Sequence, residues 1–454
     1  MFGLLRSAVT TALTVLIVRT KGQTCGVNPA PGNGITPVAA PGYHFSVVAN
    51  GLTKPRSIQF DDAGNLLVLQ VGKGIVSLQL DDAGGACVWA PSKQTIISNT
   101  ALNHGMTLST DGRTLFASDP TAAYSWAYNP LTGAAESQNT VVTGMNTDDH
   151  TTRTLLVSEK LENTLLISRG STSNIDPLAS NISTGHSQIK VFDLGQLPTN
   201  GYQFDTDGLR LGWGLRNSVG VAEHPETGGL YSVENSADDI MRDGVDVHQN
   251  NPGEEMNFHG TLLSNTDKSQ GSNYGYPECF AAWDPSALPD NTHLVVGSQF
   301  ALNATSESIC ARRTAPRLTF QAHMAPLDIK FNSSGDQAWV TFHGSWDRTQ
   351  PVGYKVSLIN FANGEPVAPA MSTTSYTDIL TNADNSKCPN ACFRPVGMAF
   401  DRQGRLFVSS DDSGEIYVLV ADAVAGSGNS SSNGTSIGVR SALSKNAFIP
   451  TFLL

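Results

Sequence analysis

A short hairpin recurs along this chain, and its recurrence restricts the fold more than any other feature. The clearest copy runs from Gly212 to Asp239, GWGLRNSVGVAEHPETGGLYSVENSADD. The polar pair Arg216-Asn217 precedes an alternating apolar run, Val219 and Val221. His224 to Gly229 supplies a Pro/Gly turn. A second run, Leu230, Tyr231 and Val233, stops at Glu234 and the polar stretch Asn235 to Asp239. Apolar alternation on both sides of such a turn is the signature of two antiparallel strands. The hairpin brings the polar groups at its two ends side by side.

Further copies pair Pro55 to Phe60 with Leu66 to Leu69, and Asn103 to Leu108 with Thr114 to Ala117. Others pair Asp149 to Val157 with Asn163 to Ile167, Pro326 to Phe331 with Ala338 to Phe342, and Arg394 to Phe400 with Leu406 to Val408. Six copies, each followed by more strand-like sequence, predict an all-β, six-bladed β-propeller. The long gaps, about residues 170–210 and 240–320, read as loop insertions on one face. The 43 glycines and 23 prolines, against 15% charged residues, fit a fold dense in turns and poor in helix.

The first 22 residues read as a secretion signal. Arg6 stands ahead of the apolar run Ala8 to Val18, which is too short to span a bilayer. The propeller is expected over residues 23–422, followed by a flexible Gly/Ser/Asn-rich tail at 423–454. The apolar end, Asn446 to Leu454, keeps a processed lipid-anchor signal as a second reading. Six cysteines in a secreted chain imply disulfides. Cys388 with Cys392 and Cys279 with Cys310 are local candidates, leaving Cys25 with Cys87, although sequence does not fix the connectivity. Sequons at Asn181, Asn303, Asn332, Asn429 and Asn433 fit the secretory route. A formal net charge of −12 with no basic run argues against nucleic acid. A monomer with no transmembrane helix is expected.

Aligned on their apolar runs, the hairpins place a polar residue at one phase. Arg56, His104, His150, Arg216-Asn217, Leu327-Asp328 and Arg394 stand before the first strands. Gln70, Asp119, Glu159, Glu234, His343 and Asp411 follow the second strands. Inner strands of a propeller line its channel, so such residues form a ring at one end, where β scaffolds carry their sites. The competing reading is that they only tie blades together. Three arginines imply a ligand with several carboxylates or phosphates. Histidines imply proton transfer or metal binding. Asn235, Ser236, Asp238 and Asp239 offer hard oxygens suited to calcium.

The motifs LRN (Leu215 to Asn217), SVENSADD (Ser232 to Asp239), NNPGEE (Asn250 to Glu255), NYGYP (Asn273 to Pro277), FHGSWDR (Phe342 to Arg348), GYKV (Gly353 to Val356) and FRPVGMAF (Phe393 to Phe400) resemble the glucose/sorbosone dehydrogenase superfamily. The likeness is strongest to fungal pyrroloquinoline-quinone-dependent pyranose dehydrogenases and runs from about residue 40 to 422. It implies pyrroloquinoline quinone and calcium as cofactors. By that resemblance His150 is the general base, beside Asp149, and Arg216-Asn217 contact the quinone near its reacting carbonyl. The carbonyls of Asn235 and Ser236 hold calcium, and Arg394 faces the quinone. His343 and Arg348 stand where bacterial glucose dehydrogenases carry a lysine, and His104 where they carry a glutamine. These departures favour the pyranose/sorbosone branch. Register alone adds Arg56, and Glu234 completes the expected cofactor wall.

The implied chemistry is oxidation of a sugar's anomeric carbon, with the hydride passing to the quinone. Electrons then leave to an external acceptor: a cytochrome, a quinone or a copper oxygenase. Trp213, Tyr276 and Trp346 are candidate stacking walls for a monosaccharide. Two other readings are a calcium-dependent propeller lactonase and a non-catalytic glycan-binding propeller. The lactonase requires carboxylates and amides from several blades around one central metal.

Overall fold

The computed structural model describes residues 28–32, 35–264 and 269–422. Six sheets, each with four antiparallel strands at its core, form the six blades of a β-propeller. Blade 1 is Pro55–Phe60, Leu66–Gln70, Gly74–Asp82 and Val88–Ile97. Blade 2 is Met106–Leu108, Thr114–Ser118, Ala123–Asn129 and Ala134–Thr143. Blade 3 is Leu155–Val157, Thr164–Arg169, Gln188–Asp193 and Leu209–Trp213. Blade 4 is Ser218–Glu223, Gly229–Glu234, Glu254–Thr261 and Leu318–Phe320. Blade 5 is Pro326–Phe331, Gln337–Phe342, Lys355–Ala362 and Thr377–Thr381. Blade 6 takes Pro395–Phe400, Leu406–Ser410 and Glu415–Ala421 from the end of the ring, and Tyr43–Ala49 from its beginning. The expected hairpins are the first two strands of every blade. The closure of blade 6 by Tyr43–Ala49 was not among the expectations.

The apolar runs are continuous because both faces of each blade are covered. On Leu66–Gln70, Leu66 and Val68 pack with Ala399, Phe407 and Val418 of blade 6. The intervening Leu67 and Leu69 pack with Met106, Leu115 and Trp126 of blade 2. Strand alternation thus glues each blade to two neighbours.

The inner strands approach one another so closely that side chains must be absent. A Cβ on Gly397 would lie 2.4 Å from the Arg56 carbonyl oxygen, and one on Gly105 2.0 Å from that of Arg153. Hydroxyls then stitch neighbouring blades. Ser118 Oγ donates to Arg153 O at 2.7 Å, Thr341 Oγ1 to Val396 O at 2.6 Å and Ser409 Oγ to Arg56 O at 2.7 Å. Asp328 stitches blades in the same way, since its Oδ2 accepts from the Met398 amide at 2.8 Å. For that member of the ring, tying blades together is the role the structure shows.

Disulfides join Cys279 to Cys310 and Cys388 to Cys392. Cys87 is disulfide-bonded as well, whereas Cys25 lies outside the described residues. The signal at 1–22, the tail at 423–454 and the sequons at Asn429 and Asn433 also lie outside them. Among the described residues no helix is long and apolar enough to cross a membrane.

Candidate active site

A cavity of about 200 Å³ is lined by residues that lead into the inner strands and by the loops around them. His150, Arg216, Asn217, Asn235, Ser236, His343 and Arg394 all reach it. Asp238, Glu254, His323 and Trp346 join them. A larger cavity, about 440 Å³, is lined by the middle and far portions of the inner strands, including Leu108, Val157 and Phe400. Of the expected ring it takes His104, Glu159, Leu327 and Asp328.

His150 is held as a neutral base. Its Nδ1 lies 2.8 Å from Ser171 Oγ and 3.2 Å from Ser171 O. A carbonyl only accepts, and the Ser171 hydroxyl donates its own proton to Ser173 O at 2.8 Å. Nδ1 therefore carries the hydrogen and Nε2 is bare. Burial, assisted by the Arg216 guanidinium, pushes the imidazole down to about 4. Asp149 is the expected neighbour of this ring, to orient it or to favour its charged form. Its Oδ2 is 4.0 Å from Nε2 and its side chain is 52% exposed, so Ser171 orients the ring instead. Ser171 sits in an insertion without periodic pattern, and nothing in the sequence marks it.

The backbone at His150 is fixed from below by Arg153, which is wholly buried. Its guanidinium donates to His150 O at 2.7 Å, to Thr152 O at 2.6 Å, to Thr147 Oγ1 at 2.7 Å and to Met145 O. No carboxylate pairs with it among the described residues.

Arg216 is fully engaged by the chain. Nε donates to Asn174 O at 3.1 Å, and Nη2 to Asn174 Oδ1 and Asp238 Oδ2, each at 2.9 Å. Nη1 donates to Asn235 O at 3.3 Å and Ser236 O at 2.6 Å. A guanidinium has five N–H donors, and all are used. Contact with a quinone carbonyl therefore requires Arg216 to release one of these bonds. The Asn235 and Ser236 carbonyls, the expected calcium ligands, accept from this guanidinium. Nearby side chains offer a second set of candidate ligands. Asp238, His323 and Asp347 offer ligand atoms within 4.8 Å of one another, and so do Asp239, His248 and Asp347.

Arg394 is the contrasting arginine. Nε donates to His343 O at 3.3 Å and Nη2 to His343 Nδ1 at 2.9 Å. Three of its five N–H donors have no partner among the described residues. It also stands over the Tyr354 ring, 5.6 Å from the centroid. Arg56 stands a step behind the cavity wall. Its Nη1 donates to Asp411 Oδ2 at 2.7 Å and its Nε to His104 Nδ1 at 3.2 Å. His104 is buried, and burial followed by the Arg56 charge holds it well below its ordinary value.

Four expected cofactor contacts do not line the cavity: Arg56 and His104, and with them Glu234 and Arg348. Glu234 is buried behind it: Oε1 accepts from the Arg216 amide at 2.5 Å and Oε2 from Asn257 Nδ2 at 3.3 Å. Burial, and then Glu255, raise it well above the usual carboxyl range. Glu254 in the same cluster holds the Ser236 amide at 2.7 Å and the Ala325 amide at 3.0 Å. Arg348 turns away and donates to the backbone of Gln249 and, at 3.3 Å, of Gln350. Of the aromatic candidates, Tyr276 is buried with its hydroxyl on the Asp176 amide at 2.6 Å and on Asn174 O at 3.0 Å. Trp213 does not line the cavity. Trp346 does, and it is 66% exposed. Its loop folds back tightly: Gly344 has φ 102°, and a Cβ there would lie 2.3 Å from the Tyr354 ring.

A family model described as TrAA12-like matches residues 37–422. The chain belongs to the TrAA12-like family. It is 49% identical over 415 residues to a pyrroloquinoline quinone-dependent sugar dehydrogenase of Hypocrea jecorina, covering 90% of this chain and 94% of that protein. A calcium structure of the Trichoderma reesei Carbohydrate-Active Enzymes Family AA12 protein superposes with a TM-score of 0.84 at 50% identity, over 87% of this chain and 99% of the other. The holo form of the pyranose dehydrogenase PQQ domain from Coprinopsis cinerea superposes with a TM-score of 0.81 at 37% identity, over 87% and 99%. Membership of the TrAA12-like family agrees with the resemblance carried by the motifs.

Proposed function

We propose that this TrAA12-like protein is a quinoprotein dehydrogenase that oxidises the anomeric carbon of a pyranose or related aldose. The observation that carries the reading is the neutral imidazole of His150, with Nδ1 locked by Ser171 and Nε2 bare, in a cavity whose far wall is the open-handed Arg394. Three unpartnered donors on Arg394, backed by Arg56, suit the carboxylates of pyrroloquinoline quinone. When bound, the quinone supplies the acceptor for hydride. His150 Nε2 takes the hydroxyl proton of the sugar carbon being oxidised. Arg216 keeps positive charge against the cavity, which favours the growing negative charge on that side. Trp346 offers its exposed ring to one face of the sugar.

Calcium belongs, in this reading, with the carboxylates of Asp238, Asp239 and Asp347 on the rim. Their place on blades 4 and 5 disfavours the lactonase reading, which calls for a metal ringed by several blades. The protein is secreted, consistent with its disulfides. Its leader is residues 1–22, its propeller domain 23–422 and its tail 423–454. It passes electrons to an external acceptor. The test is to add calcium and pyrroloquinoline quinone to the purified protein and follow the bound chromophore and dye reduction with a panel of aldoses. A sugar-dependent reduction that needs the quinone is expected. Quinone binding without turnover on any sugar, or no binding at all, would overturn the reading.

A further inference from the structure

One carboxylate lies at the centre of the polar ring without touching the cavity. Asp411 follows the second strand of blade 6. Its Oδ2 accepts from Arg56 Nη1 at 2.7 Å, and its Oδ1 pairs with His343 Nε2 at 2.8 Å. The other His343 nitrogen, Nδ1, faces Arg394 Nη2 at 2.9 Å. An arginine can only donate, so Nδ1 must be bare. A carboxylate can only accept, so Nε2 must carry the hydrogen. Burial opposes ionisation of Asp411, but His343 and Arg56 outweigh it and hold the carboxyl well below its ordinary range. Burial lowers His343 in turn. The chain of contacts then has a single consistent set of protons. It runs from His104 through Arg56, Asp411 and His343 to Arg394, across blades 2, 1, 6 and 5 and back to blade 6.

We propose that Asp411 is a positioning residue that fixes the tautomer of His343 and so the direction in which Arg394 presents its open donors to an anionic ligand. The proposal rests on the reading that the cavity takes an anionic quinone. With the opposite tautomer, the Nδ1 hydrogen of His343 would point at a guanidinium hydrogen, and Arg394 would have to turn away. Asp411→Asn forces that outcome. The amide oxygen can accept from Arg56, but the NH₂ then faces His343 Nε2, which must become an acceptor.

The test uses the full chain with ¹⁵N-labelled histidine, the His343 signals being assigned by their loss in His343→Gln. In the parent, long-range ¹H–¹⁵N spectra are expected to show His343 neutral with the hydrogen on Nε2. In Asp411→Asn the hydrogen should move to Nδ1, or the ring should be protonated. Affinity is read in parallel with pyrroloquinoline quinone and with isophthalate, an aromatic dicarboxylate that lacks the quinone. Asp411→Asn should weaken both roughly tenfold, the loss of one charge-assisted hydrogen bond, and Asp411→Glu should restore part of it. An unchanged His343 tautomer, or unchanged affinity for both anions in a folded Asp411→Asn, overturns the proposal. If the parent binds isophthalate but not the quinone, the quinone reading fails while Asp411 is still judged on the dicarboxylate. Should Asp411→Asn not fold, His343→Gln is read instead: it keeps the carboxylate but abolishes the ring, and unchanged anion affinity there overturns the proposal equally.

Discussion

Arg153 holds His150 from inside the protein: its Nη1 meets the His150 carbonyl at 2.7 Å while its own side chain is sealed from solvent. Burial lowers its pKa to about 9, and oxygens of neutral groups carry the compensation. Such a residue is costly to lose, because the Met145 and Thr152 carbonyls lose a charged donor at once. Arg153→Met is expected to destabilise the fold by about 3 kcal/mol, read from urea midpoints. It should also lower turnover per folded molecule, since the loop from Met145 to Arg153 loses its anchor.

His150 should govern the acid limb of activity. Only the neutral ring can accept the hydroxyl proton, so turnover should fall as pH drops through about 4, not through the ordinary histidine value. The stability term has the same sign. The folded pKa lies below the unfolded one, so His150 contributes stability above about 6.5 that is lost as pH falls towards about 4. His150→Ala should retain ligand binding and lose about 10²–10⁴ in turnover. Near-parental rates in that variant would remove it from the mechanism.

The carboxyls behind Arg216 predict the opposite limb. Burial raises Glu255 to about 7, and Asn257 bridges it to Glu234, through 3.0 Å and 3.3 Å contacts. A folded pKa above the unfolded one contributes stability at acid pH, and that stability is lost as pH rises through about 7. Glu255→Gln should flatten the decline between about pH 5 and pH 8, measured as denaturation midpoints on parent and variant. A variant whose midpoint falls as steeply as the parent's over that range would show that the carboxyl is not the titrating group.

Asp347 tests the rim as a cation site. Asp347→Asn can keep the bond from the Asp239 amide, 2.9 Å in the parent, while removing the charge. It should weaken calcium binding at least roughly tenfold, followed by displacement of luminescent terbium. Asn235 and Ser236 supply backbone oxygens, so Asn235→Ala should have a much smaller effect. Unchanged calcium affinity in Asp347→Asn would return the ion to the loop carbonyls.

The six hairpins were legible because both faces of every inner strand are buried and the turns recur at one phase. The ring was legible for the same reason: residues at one register share one end of the channel. His150, His343 and Arg394 reach the cavity on that logic alone. Glu234 and Arg348 obey the same register or motif, yet point elsewhere, because strand phase fixes where a Cα stands and not which way a long side chain turns. Ser171 and His323 were out of reach, since one belongs to an insertion and the other to the short link between Leu318–Phe320 and Pro326–Phe331, where no period exists. Glu254 and Asp347 lie inside the motifs NNPGEE and FHGSWDR, and a reading of those motifs as backbone clamps would have found them. Tyr43–Ala49 has the alternation of an edge strand, but only the ring says that it must pair with the last blade.

That pairing sets an order of birth. Tyr43–Ala49 is synthesised before the blades, and its partner Glu415–Ala421 after nearly all of them. Until the partner emerges, the early strand has no sheet to join, and blades 1 and 5 each have an uncovered face. Arg394 and Asp411 arrive within the same final stretch. Nascent chains short of that point therefore lack both the seal of the ring and the two groups that orient its anion-facing wall. A ligand drawn by those groups has nothing to bind on an unfinished copy, and capture of the anion becomes a signature of the completed circle.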